Sequence, residues 1–120
     1  MRVVDTNTGI YHLGGRLIEP LGDEEYSASV ITEIELLSYP SLSQMEEERA
    51  VAFLSSVTIV GLTPDIRDAA IRLRRDHRLK LPDAIIAATA LVLDAELLTN
   101  DARLLRVPEL RTRQMRLRDS

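Results

Sequence analysis

From Pro82 to Asp94 the chain is apolar on nearly every side. Ala84, Ile85, Ile86, Ala87, Ala88, Ala90, Leu91, Val92 and Leu93 leave no polar stripe. Proline suits the first turn of a helix, so the segment predicts a helix from 82 to about 94. A helix without a polar face has to be covered by other elements. No apolar run approaches the ~20 residues that cross a bilayer, so the cover is expected to be protein and no membrane contact is expected. The rest of the chain must therefore build layers around this helix.

The remaining segments read as strands alternating with helices. Residues 2–5 form a buried strand, which Thr6-Asn7-Thr8-Gly9 breaks. Residues 10–25 hold Gly14-Gly15, Pro20 and Asp23-Glu24-Glu25, and read as a short helix and a loop. Tyr26 to Val30 alternates as a second strand. Thr32-Glu33-Ile34-Glu35 fits a capping box opening a helix that stops near Tyr39-Pro40. Ser43-Gln44-Met45-Glu46 is another, opening a helix that ends near Ser55-Ser56. Val57 to Leu62 is β-branched and apolar, a third strand. Thr63-Pro64-Asp65 starts a helix with Ile66, Ala69, Ala70 and Leu73 on one apolar face. Glu96 to Thr99 is a fourth strand, Asp101 to Leu105 a short helix, and 110–115 a weak last strand. Such alternation predicts an α/β fold, a parallel sheet with helices on both faces. The 120 residues, 45% of them apolar, suffice for one domain over 1–120, with an Arg-rich tail at 111–120.

Against this frame four acids stand where an acid is costly. Asp5 closes the apolar run Val3-Val4, and Asp101 closes Leu97-Leu98-Thr99-Asn100. Asp83 heads the apolar helix, and Glu35 lies inside Ile31 to Leu37. In parallel sheets ligands bind beyond the carboxyl ends of the strands, where Asp5 and Asp101 fall. Each acid also has a purely structural reading. Asp5 can end a strand through an Asx turn, Glu35 can complete the capping box, which leaves Glu33 as a rival candidate for the site, and Asp83 and Asp101 can favour helix starts. Together they predict a shared rim, where like charges raise each other's pKa and a hard cation with oxygen ligands relieves them.

Other chemistries find less support. Without cysteine there is no disulfide and no thiolate zinc site. His12 and His77 lack metal spacing and read as surface residues, and no Gly-rich phosphate loop or serine nucleophile motif occurs. An aspartate-nucleophile phosphatase wants a second Asp two residues after Asp5, where Asn7 stands, with Lys80 as the one lysine to assist. Arg2-Val3-Val4 runs straight into Asp5, unlike a signal peptide, so a soluble cytoplasmic protein is expected. The charge is split. Residues 1–60 hold 3 basic and 10 acidic residues, and residues 61–120 hold 12 basic and 9 acidic. Arginine dominates the basic set and suits phosphate.

The order Val4-Asp5-Thr6-Asn7, Ser29 through Leu37, Leu81-Pro82-Asp83-Ala84-Ile85-Ile86-Ala87-Ala88-Thr89-Ala90 and Leu98-Thr99-Asn100-Asp101 resembles the PIN domain. It looks most like the ribonuclease toxins of VapBC-type toxin–antitoxin systems, from residue 2 to about 105. The resemblance implies a three-layer α/β/α sandwich around a central parallel sheet. It implies an endoribonuclease using Mg2+ or Mn2+, the ion held mainly by Asp5 and Asp83 and the site completed by Glu35 and Asp101. Thr6, Asn7 and Thr99 match the family's polar supports. The implied partners are RNA, a small antitoxin protein and a second copy in a homodimer. The family also includes antitoxin-free RNA-processing nucleases, and an inactive PIN-like binding module is the non-enzymatic alternative. The chain departs from relatives in Leu104-Leu105, where Phe is frequent, and in its Arg-rich tail. Arg103 and Arg106, directly after Asp101, are the first choice for holding RNA by its phosphates, with Arg111, Arg113, Arg116 and Arg118 second.

Overall fold

In a computed structural model, which describes residues 1–119, one all-parallel sheet runs through the molecule. Its strands are β1 (Arg2–Val4), β2 (Tyr26–Ser29), β3 (Thr58–Val60), β4 (Glu96–Leu98) and β5 (Thr112–Arg113), in the order β3-β2-β1-β4-β5. The helices are α1 (Thr6–Leu13), α2 (Val30–Leu37), α3 (Gln44–Ser55), α4 (Pro64–His77), α5 (Leu81–Val92) and α6 (Ala102–Leu105). In β1 and β4, Val3 pairs with Leu97 and Val4 with Leu98. Successive strand residues face opposite sides, so each pair feeds a different core. Val3 and Leu97 pack with Ile66, Ala69 and Leu73 of α4 and with the apolar length of α5. Val4 and Leu98 pack with Leu36 of α2 and Phe53 and Leu54 of α3. The two cores flank one sheet, giving the expected three-layer α/β/α sandwich.

The apolar helix is covered as its composition demands. Ala84, Ala87, Ala88 and Ala90 of α5 are wholly buried. Their small side chains let α5 lie against β1, β2 and β4 on one side and α4 on the other. Ile85 and Ile86 are buried too, and each such side chain contributes about 1.5–3 kcal/mol.

Local chemistry moves two helix starts. α1 begins at Thr6, not after Gly9, because Asp5 caps it: the Asp5 carboxylate accepts from the Thr8 N–H at 2.8 Å. α2 begins at Val30, where the Ser29 hydroxyl accepts from the Ile31 N–H at 3.0 Å. The expected capping box at Thr32 is therefore not formed, and Thr32 lies buried inside the helix. Serine one turn earlier, at the end of a strand, offers the same cap and wins the position. The box at Ser43 and Glu46 forms with both of its bonds, and Thr63 caps α4 as expected.

The Arg-rich segment is not a loose tail. β5 pairs with β4, Leu17 bridges Leu117, and Arg113 meets Glu96 at 3.1 Å. Main-chain pairing and an acidic partner on β4 thus hold residues 111–118 to the sheet edge. His12, expected at the surface, is half-buried. Its ring packs on Phe53 with centroids 5.4 Å apart, and its Nδ1 is buried without a partner. Burial lowers its pKa.

Gly9 shows how closely α1 approaches its neighbours. A Cβ built there would meet Phe53 and Leu36 at 3.5 and 3.6 Å, ordinary contact distances. Gly9→Ala should therefore fit and stabilise by about 0.5–1 kcal/mol, since glycine is a poor helix residue. Gly9→Leu should overpack the same space and cost about 1–3 kcal/mol. Urea midpoints of the two variants check this; equal destabilisation by both would refute the packing described.

Candidate active site

The strand order reverses between β1 and β4, although the strands stay parallel. From β1 the chain builds outward through β2 and β3, then returns to the other side for β4 and β5. The connections leave on opposite faces there, opening a crevice beyond the carboxyl ends of the two strands. Asp5 directly follows β1, and Asp101 follows β4 by way of Thr99 and Asn100. The Asp5 N–H donates to the Leu98 carbonyl at 3.2 Å, and the Thr8 hydroxyl donates to the same carbonyl at 3.0 Å. Asp101 caps α6, accepting from the Arg103 N–H at 2.8 Å, while its own N–H donates to the Thr99 hydroxyl at 3.1 Å. The structural reading of Asp101 as a helix cap thus holds, whereas Asp5 caps α1 rather than forming the expected Asx turn. Each cap occupies a single carboxylate oxygen.

Glu35 and Asp83 come from two other helices. Glu35 lies in the second turn of α2, freed from capping by Ser29. It accepts from the Thr6 hydroxyl at 2.6 Å, and Thr6 also meets the Thr32 hydroxyl at 3.1 Å. This bond ties α1 to α2 and aims Glu35, not Glu33, at the first turn of α1. Asp83 is the third residue of α5 and half-buried. Lys80 precedes that helix without offering a side-chain cap. The free N–H groups of the first turn therefore add positive potential beside the carboxylates.

The carboxylates of Asp5, Glu35 and Asp101 lie near enough to Asp83 for their charges to act on it. Burial pushes the Asp83 carboxyl up, the charges of Asp101, Glu35 and Asp5 push it further, and Lys80 partly offsets them. Burial likewise raises Asp5, which is only 4% exposed, with Asp101 adding to the rise and hydrogen bonds from Thr99 and Thr8 opposing it. Among the described residues no three acids stand close enough to hold an ion unaided. The donor set still fits a magnesium-like cation. All its donors are carboxylate oxygens, and such an ion takes one or two carboxylates and keeps several waters.

Of the expected supports, Thr6 and Thr99 are engaged as described, whereas Asn7 is exposed in the first turn of α1. Arg103 and Arg106 are exposed on and after α6. Thr8 and Thr32 belong to the same network and were not among the expected residues. A cap at Asp5 puts the N–H of the third residue after it on the carboxylate, so the spacing Asp5 to Thr8 was the available signal. Thr32 carried none, because its role comes from a contact between helices.

Comparison with known proteins agrees with this architecture. The family model of the PIN domain matches residues 2–110. Ribonuclease VapC19 of Mycobacterium tuberculosis is 35% identical over 115 residues, spanning 86% of this chain and 90% of its own. A chain of a toxin–antitoxin complex from Klebsiella pneumoniae superposes with a TM-score of 0.78 at 30% identity, over 92% of this chain and 95% of its own. VapBC2 from Rickettsia felis, solved with a DNA fragment of its promoter, gives a TM-score of 0.79 at 19% identity, over 96% and 98%, a likeness of fold. With a family model and a relative both aligned over most of its length, the chain belongs to the PIN-domain family.

Proposed function

We propose that the chain is an endoribonuclease dependent on Mg2+ or Mn2+, the toxin of a toxin–antitoxin pair. The observation that carries this is the convergence of Asp5, Glu35, Asp83 and Asp101 on the crevice where the strand order reverses, close enough that the charges of the other three push the Asp83 carboxyl up. The similarity to Ribonuclease VapC19 and to a chain of the Klebsiella toxin–antitoxin complex supports the substrate and the partner. Asp5 and Asp83 hold the ion, directly or through water, and Glu35 and Asp101 complete its surroundings. When bound, the ion polarises the scissile phosphate and makes the attacking water more acidic. The chain's own part is to position and to take a proton. Thr6 orients Glu35, the Thr8 and Thr99 hydrogen bonds fix Asp5, and a rim carboxylate accepts the proton of the attacking water. Phosphoryl transfer asks for little more than such positioning and charge stabilisation. Arg103 and Arg106 hold the strand against the repulsion of the acids.

Exposed apolar residues support a protein partner. Ile34, Leu37 and Tyr39 at the end of α2 and Met45 and Val51 on α3 lie open, next to a cavity of about 270 Å3 lined by Ile10, Leu13, Leu36 and Leu42. Leu62, Ile71 and Leu81 form a second open set near α4 and the start of α5. Surfaces of this kind mark interaction sites, and an antitoxin and a second copy are the partners this reading assigns.

Asparagine caps a helix as well as aspartate does, so Asp5→Asn removes the charge and keeps α1. Asp5→Asn and Asp83→Asn should each lower RNA cleavage by at least about a hundredfold with unchanged circular dichroism. Full activity in either purified variant would overturn the site.

The same carboxylates set the pH dependence of the metal-free protein. Both pKa values are raised on folding, so above the ordinary carboxylate range the unfolded chain has released protons that the folded one retains. Stability from these two groups therefore falls as pH rises from that range through their raised values. Asp83→Asn should flatten that fall. At neutral pH, Mg2+ at ~100 times its dissociation constant should add about 2.7 kcal/mol, and less in Asp83→Asn. Melting curves across pH, with and without Mg2+, check both. Identical profiles for the native protein and Asp83→Asn would refute the coupling.

A further inference from the structure

The two segments that deliver Asp83 and Asp101 also deliver cations. Arg78 stands five residues before Asp83, in the short connection between α4 and α5. Arg103 stands two residues after Asp101 on α6, and Arg106 ends that helix. The three arginines line one open cavity of about 290 Å3 together with His77 and Val107, and no carboxylate lines it. Among the described residues none of the three guanidiniums has an acid within ion-pair distance, whereas Arg2, Arg67, Arg111 and Arg113 all have one. His77, the other polar wall, is tied to Glu109 at 3.0 Å. Three guanidiniums around one concavity repel each other unless an anion joins them. A phosphodiester, with two free oxygens, matches the planar fork of arginine.

The backbone of Arg78 points the same way. It ends α4 in the left-handed conformation, φ 53° and ψ 37°, its N–H donating to the Arg74 carbonyl at 2.9 Å. Glycine is the usual residue there, and a side chain is strained. Strain kept at one residue is a lead to function when the side chain has something to do. Here the side chain reaches the cavity shared with α6.

We propose that Arg78, Arg103 and Arg106 form a phosphodiester-binding subsite for the RNA strand, beside the acidic rim. The scissile phosphate lies at the acids while a neighbouring phosphate of the same strand lies in this cavity. The proposal rests on the ribonuclease reading and goes beyond it in naming the path by which the strand leaves the site. It also separates two opposed electrostatic tasks: the rim gathers a cation, and the cavity gathers the anion that the rim repels.

The test uses the full-length protein carrying Asp83→Asn, so that RNA stays intact, and a fluorescein-labelled single-stranded RNA titrated over a series of NaCl concentrations. The changes compared are Arg78→Gly, the triple change Arg78→Gly with Arg103→Gln and Arg106→Gln, and the control Arg72→Gln, an exposed position on α4 outside the cavity. The triple change should weaken binding about tenfold or more at low salt and flatten the log–log salt slope by roughly 0.7 per lost phosphate contact. Arg78→Gly should melt at the same temperature or higher while binding RNA more weakly, because it relieves strain and removes a cation. The subsite is overturned if the triple change matches the control, or if the parent shows no salt-dependent RNA binding. It is also overturned if the triple change abolishes binding of a polyglutamate peptide and spares RNA, which would give the cavity to a partner's carboxylates. A lower melting temperature for Arg78→Gly overturns the assignment of that residue. If the triple change matches the control while the native protein cleaves RNA with Mg2+, the subsite falls and the nuclease reading stands. If the native protein never cleaves RNA but the slope changes as expected, the nuclease reading falls and the anion site stands.

Discussion

The arrangement depends on a carboxylate placed where water barely reaches. Asp5 is 4% exposed, at the junction of the central strand β1 and helix α1. A buried carboxylate is tolerated only with hydrogen bonds or a counter-charge. Asp5 has the Thr8 N–H on one oxygen and help from Thr99, yet its proton affinity is still raised, with Asp101 contributing. The protein supplies donors enough to fix the group and not enough to neutralise it. The remaining demand is for positive charge, and the other three acids around the crevice increase it.

The fold sets that demand through its topology. Reversal of strand order between β1 and β4 places the ends of two adjacent strands at one opening, and α5 brings Asp83 there because its apolar length must lie along the sheet. The alanines that let α5 approach the strands also fix how far its first turn projects. Thr6, in the first turn of α1, reaches across to Glu35 and Thr32 on α2. Each acid is thus held by an element whose position is decided by packing on one core or the other. Such a site is built on rigid elements rather than on loops.

Much of this was legible in the residues. The all-apolar helix, the alternation of strands and helices and the acids at strand ends rest on patterns of composition that survive without tertiary context. The capping box at Ser43 was readable because both partners lie within one turn. The box at Thr32 was not, since Ser29 competes for the same helix start and only the end of β2 decides between them. α1 was expected too late because Thr6-Asn7-Thr8-Gly9 looks like a break until Asp5 is seen as a cap. The last strand near 110–115 was readable only weakly, and the pairing of the Arg-rich segment with β4 and Leu17 was not, because both partners are distant in the chain. The cavity joins Arg78 to Arg103 and Arg106, at least 25 positions further along the chain, a juxtaposition that only the fold supplies.

The central claim is that the acids at the β1–β4 crevice act as one cation site. The most direct measurement is calorimetric titration of Mn2+ into the metal-free native protein and into Asp5→Asn and Asp83→Asn, with Glu109→Gln as a control carboxylate outside the crevice. The account predicts saturable binding in the native protein and the control, and binding weakened at least about tenfold, the equivalent of 1.4 kcal/mol, in both crevice variants. Equal Mn2+ affinity in all four proteins would contradict it.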